Sequence, residues 1–145
     1  MSEVEDNTLV TSIFEGLNQK ERSTVVELVS LGQLEEDFEF CGHTFGLKTL
    51  RADEDLAVGV VLKEFEGSMK EAQAWACAHA AMALTHIDHD DAFCPPSGPS
   101  KVAFAKARMN YLTQGFYFPV IAAIYEKYAE LNVRQNETIE KLRDF

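Results

Sequence analysis

Basic residues are scarce: 13 Lys and Arg stand against 24 Asp and Glu, a formal net charge of -11 over 145 residues. A surface of that sign repels polyanions, which argues against nucleic acid and anionic membrane as partners. Cysteine is scarce as well. Cys41, Cys77 and Cys94 form no C-x-x-C pair, and an odd count reads as reduced thiols in a cytosol rather than a disulfide framework. Long apolar runs are missing: before the central loop the longest stretch without formal charge, Ala72 to Ile87, has 16 residues and contains His79 and His86. That is short of the ~20 apolar residues that cross a bilayer. The N-terminal Met1-Ser2-Glu3-Val4-Glu5-Asp6-Asn7 is acidic where a signal peptide is basic and then apolar, so a cytoplasmic protein is expected. Neither G-x-x-x-x-G-K-[ST], G-x-G-x-x-G nor G-x-S-x-G occurs, which removes phosphate-loop, dinucleotide and nucleophile-elbow chemistry.

What remains is 46% hydrophobic and 26% charged, an ordinary globular composition. A chain of this length buries roughly 68% of its unfolded surface and needs no metal or disulfide to hold a core. After an acidic flexible tail over 1–7, one domain is expected over 8–145, in the α+β class and mainly α: about five helices packed as a bundle around one small hairpin. Leu9, Ile13, Phe14 and Leu17 recur at helical spacing behind Asn7, and a second helix is expected over 21–34, ending near Gly32. Glu36 to Phe40 and Thr44 to Leu50 alternate polar and apolar around Cys41-Gly42-His43, which predicts a hairpin over 36–50. A lone hairpin is marginal in water, so its faces should pack on helices and its edges could add to another chain's sheet.

Asp53-Glu54-Asp55 put three carboxylates where a helix start favours them, opening the helical core over 52–143. Ser68 with Glu71 fits a capping box for a helix from Met69 to about Ile87, apolar nearly all round and hence central. Three prolines and a glycine within Pro95 to Pro99 fix a loop over 88–99. A helix over 100–115 follows, and Phe118-Pro119 opens the last, with Val120, Ala123, Ile124, Tyr128 and Leu131 inward.

One ligand-like cluster stands out, His86, Asp88, His89 and Cys94 with Asp90 and Asp91 between. Its spacing matches no familiar zinc pattern, and a helix end followed by a turn explains the same residues. No resident metal and no cofactor are therefore expected. His79, on an alanine-rich helix, reads as a core or interface histidine. Charge distribution says more: residues 92–125 contain no Asp or Glu and three cations, Lys101, Lys106 and Arg108, so the rest of the chain carries -14. Phe104, Tyr111, Phe116, Tyr117 and Phe118 are interleaved with those cations. Such a segment either fills the core or binds an apolar peptide. On the second alternative Phe104, Arg108, Tyr111, Phe116, Tyr117 and Phe118 are the candidate partner contacts.

The run from Phe38 through Gly42-His43, Thr49-Leu50 and Asp53-Glu54 resembles the hairpin-then-helix opening of the tail assembly chaperones of long-tailed bacteriophages. Ala80-Ala81-Met82-Ala83-Leu84-Thr85-His86-Ile87-Asp88 stands where that family has an alanine-rich helix ending near Ile-Asp. The resemblance covers about residues 35–131. It implies a non-enzymatic protein of the infected cell's cytoplasm that coats the hydrophobic tape-measure protein until tube subunits replace it, with no catalytic residues. Two alternatives accompany it: a minor structural component of the virion (tail, baseplate or head-tail connector), and a metal-dependent enzyme using His86, Asp88, His89 and Cys94. A tape-measure or other tail protein, or a second copy of the chain, is the expected partner.

Overall fold

The computed structural model describes Asn18, residues 31–89 and residues 100–143. The chain divides into two compact units, residues 1–32 and 33–145, where the sequence pattern suggests one domain from residue 8 onward. Residues 33–145 carry the sheet and the helices that follow it. The acidic tail, the helix expected over 8–17, most of the one expected over 21–34, and residues 90–99 of the loop lie outside the described residues.

Strands β1 (Glu35–Phe40) and β2 (His43–Lys48) pair antiparallel, with Phe38 opposite Phe45 and Phe40 opposite His43. Cys41 and Gly42 connect them with φ of 53° and 80°. Two successive left-handed residues match the twist of a tight hairpin, and glycine takes the second at no Cβ cost. Phe38 stacks on Phe45 with ring centroids 5.4 Å apart, and Phe40 meets the same ring edge-on at 6.5 Å. At the base, Thr49 N–H donates to Leu34 O and Leu34 N–H donates to the Thr49 hydroxyl, each at 3.0 Å.

The other edge of β2 is covered by the chain itself. Strand β3 (Leu84–Ile87) pairs antiparallel with β2, with Gly46 opposite His86 and Leu47 opposite Leu84, giving the order β1-β2-β3. Sequence periodicity carries the preceding helix through Ile87; it stops at Ala83 instead. β-branched Thr85 and Ile87 fit an extended backbone, and the open edge of β2 satisfies their peptide groups.

Helix α1 (Ala52–Leu62) starts as its acidic first turn predicts, with Glu54 Oε1 accepting from Arg51 N–H at 2.9 Å. A short 3-10 turn, Lys63–Phe65, ends it. Helix α2 (Glu71–Ala83) begins two residues later than the Ser68 capping pattern implies, because Ser68 Oγ accepts from Lys70 N–H and Glu71 Oε2 from Gly67 N–H. Those bonds close a separate turn, and Met69 stands fully exposed in it rather than on the helix. Helix α3 (Lys101–Gly115) is capped by Ser100, whose hydroxyl accepts from Ala103 N–H at 3.2 Å. Helix α4 (Phe118–Leu142) has proline in its first turn and buries Ile121, Ile124, Tyr128 and Leu131, one per turn. Beyond Leu131 it is mostly exposed.

α2 packs against α1, α3 and α4, and α4 also lies on β1 and β2. Ala80, Ala81, Met82, Ala83 and Leu84 are wholly buried at that junction. The alanines among them let neighbouring helices approach α2 closely, while Met82 and Leu84 fill the space between. The described residues thus form a mainly helical fold of four helices with one small three-stranded antiparallel sheet.

Candidate functional site

Between α1, α2, α3 and the first turn of α4 runs an open groove of about 520 Å³. Val61, Ala74, Cys77 and Met109 form its floor, while Phe65 and Phe118 stand in its walls. Alanine and cysteine on the α2 side leave depth that larger side chains would fill. Lys70 and Lys106 reach its rim beside Glu64. Burial pushes the Cys77 thiol up, so it stays protonated and serves as a small apolar group.

The six residues singled out from the sequence do not stay together. Tyr117 is 86% exposed, and Phe118, 38% exposed, lines the groove; Tyr111 is half-exposed on α3. Phe104 and Phe116 are partly buried against the core. Arg108 corrects the expectation: it is 7% exposed and its Nη2 donates to the carbonyl of Leu84, where α2 gives way to β3. Its guanidinium also lies 5.3 Å from the centroid of the Phe104 ring. At 7% exposure the guanidinium offers little surface to a partner and is spent instead on the Leu84 carbonyl inside the fold.

Burial lowers the Arg108 pKa to about 10, partly offset by the nearby Glu54 carboxylate, so it remains charged at neutral pH. Glu54 is itself 3% exposed, and its Oε2 accepts from Lys48 Nζ at 2.6 Å. Desolvation works against that carboxylate. Lys48 and the Arg51 N–H outweigh it and hold Glu54 below its ordinary value.

A second cleft, of about 380 Å³, lies between α1 and α2 and is lined by Leu56, Leu62, Trp75 and His79. Leu56, Val60 and Trp75 are exposed on these two helices. His79 is buried, as expected of a core histidine: its ring stacks on Tyr128 with centroids 5.9 Å apart and lies tilted against Trp75 at 4.5 Å, and its Nδ1–H donates to Trp75 O.

The ligand-like cluster from the central loop falls apart and regroups on the sheet face away from the helices. Asp88 turns to the hairpin, accepting from Thr44 N–H at 2.9 Å and from His43 Nδ1–H at 2.5 Å. Those two bonds hold its carboxyl below the usual range. Cys94 lies outside the described residues. His86 and His89 come together instead with Asp37 of β1, a residue that spacing along the chain cannot link to them.

No protein-family model, curated protein or solved structure matches this chain. Among the described residues no helix is long and apolar enough to cross a membrane.

Proposed function

We propose that this chain is a non-enzymatic binding protein of the phage tail-assembly-chaperone kind, which holds apolar helical segments of a tape-measure protein during tail morphogenesis. One observation carries the reading: an open, apolar-floored groove, flanked by Lys70 and Lys106, on a chain of net charge -11. An acidic body keeps a complex soluble while an apolar floor takes up greasy client side chains and a rim that includes Gln73, Asn110 and Thr113 offers adaptable polar contacts. Phe118 supplies large, stiff aromatic area at the groove's α4 end, and Tyr117, its neighbour in the chain, is 86% exposed; aromatics of this kind dominate binding energy at interfaces. Arg108 is removed from the contact set, and Lys106 takes its place as the cation of that segment.

Co-expression with the tape-measure protein tests the proposal. The client should remain soluble and co-purify, and Phe118→Ala should weaken its capture. An insoluble client that leaves this chain behind would end the chaperone reading. Stoichiometric presence of the chain in finished particles would replace it with the structural one.

A further inference from the structure

We propose that Asp37, His86 and His89 form a binding site for a divalent first-row transition metal, zinc or cobalt in particular, which clips β1 to the turn after β3. This stands on the sheet alone and does not depend on the client-binding proposal. The register builds it. Asp37 lies opposite Gly46, and Gly46 lies opposite His86, so one row across three strands reads carboxylate, glycine, imidazole. A Cβ at Gly46 would sit 2.0 Å from Cε1 of His86, so the ring can lie where it does only because residue 46 is glycine. With no side chain there, the His86 ring lies across β2 and brings its Nε2 to 3.2 Å from Asp37 Oδ1.

Two ligand atoms bound to zinc at about 2.0–2.1 Å and tetrahedral angles stand about 3.3 Å apart, a spacing the Asp37–His86 ion pair already has. The third donor, a ring nitrogen of His89, lies within 4.8 Å of both and must draw in to about 3.3 Å on binding; the two imidazoles are nearly parallel with centroids 6.1 Å apart. Two neutral imidazoles and one carboxylate suit a borderline ion rather than calcium or magnesium, which prefer all-oxygen shells.

The surrounding residues orient these ligands. Thr85 Oγ1 bonds His86 Nδ1 at 2.9 Å, leaving Nε2 to face Asp37. Asp88 and His89 both hold left-handed φ, 53° and 67°, a region uncommon for non-glycine residues but one that Asp and His enter more readily than most. Asp88 is held there through its N–H to Thr44 O at 2.7 Å and through its carboxylate to Thr44 N–H and His43. That clamp swings His89 back over the sheet. Asp88 and Thr85 are thus positioning residues behind the ligands.

Titration of the full chain, free of any histidine tag, with Co2+ and Zn2+ tests the site. We expect one ion per chain, a visible ligand-field band without thiolate charge transfer, and a higher thermal midpoint in Zn2+ but not in Mg2+. Asp37→Asn and His89→Asn keep shape and, at residue 89, tolerate the left-handed backbone; each should abolish the band while leaving the metal-free midpoint in place. Thr85→Val should weaken affinity about 10–100-fold. Unchanged Co2+ binding in Asp37→Asn and His89→Asn, a thiolate-type band, or no ion bound by the wild-type chain would overturn it.

Discussion

The carboxylate of Glu54, almost wholly buried at the start of α1, accepts a 2.6 Å hydrogen bond from Lys48 at the end of β2, and so ties the sheet to the helices. Its charge also favours the buried Arg108 cation of α3. Three elements depend on one anion. Glu54→Gln keeps the shape and removes the charge, and should cost about 2 kcal/mol, read as a lower urea midpoint at unchanged slope.

The same group sets an acid limit. Its folded-state pKa lies below the unfolded value near 4.5, so its contribution is complete above that value and is lost as pH falls through the folded one. Stability of the wild-type chain should therefore drop as pH falls below about 4.5, and Glu54→Gln should flatten that part of the curve. Denaturant midpoints measured across the acid range for both proteins check it. Parallel curves would mean that other carboxylates carry the acid sensitivity.

Several elements were legible in the sequence for local reasons. Ser100 caps α3, Pro119 opens α4, and Cys41-Gly42 turns the hairpin, each through chemistry contained within a few residues. Strand β3 was not legible. Leu84-Thr85-His86-Ile87 continues an alanine-rich helical run, and only the open edge of β2, some 40 residues earlier in the chain, makes extension the better state. The Asp37, His86 and His89 grouping was hidden for the same reason, since it depends on strand register across the sheet. Arg108 shows the converse. Its place among aromatics suggested a surface cation, whereas the Leu84 carbonyl freed by the helix-to-strand switch draws it inward.

Arg108→Met should separate a structural from a binding role. Losing the guanidinium strands the Leu84 carbonyl and takes away a positive charge that Glu54 favours, so a stability loss of about 1–3 kcal/mol is expected. Thermal or urea unfolding measures it. Undiminished stability together with lost client binding would return Arg108 to the partner surface.

Thiol chemistry should distinguish the two described cysteines. Cys41 is exposed in the hairpin turn, while Cys77 is buried in the groove floor with its pKa raised by desolvation. In a Cys94→Ser background, a disulfide reagent at neutral pH should modify Cys41 rapidly and Cys77, 7% exposed and less ionised, far more slowly until the chain unfolds. Mass spectrometry of timed samples reads both sites. Equal rates would show that the groove floor is as accessible as the hairpin turn.

Client binding should depend on the aromatic end of the groove and not on the buried members of the same segment. Tyr117 is 86% exposed, so Tyr117→Ala should change stability by no more than about 0.5 kcal/mol, and any loss of capture must come from the interface. Phe118 stands in the groove wall, and its truncation should weaken capture by about 2 kcal/mol, roughly 30-fold, if it anchors the client. Lys106→Glu should chiefly slow association, with an effect that fades as salt rises, because rim charges steer encounters more than they hold complexes. Binding kinetics with immobilised tape-measure fragments at two salt concentrations would resolve all three. Wild-type capture by both aromatic variants would place the client elsewhere, and the cleft at Leu56 and Trp75 would then be the surface to mutate.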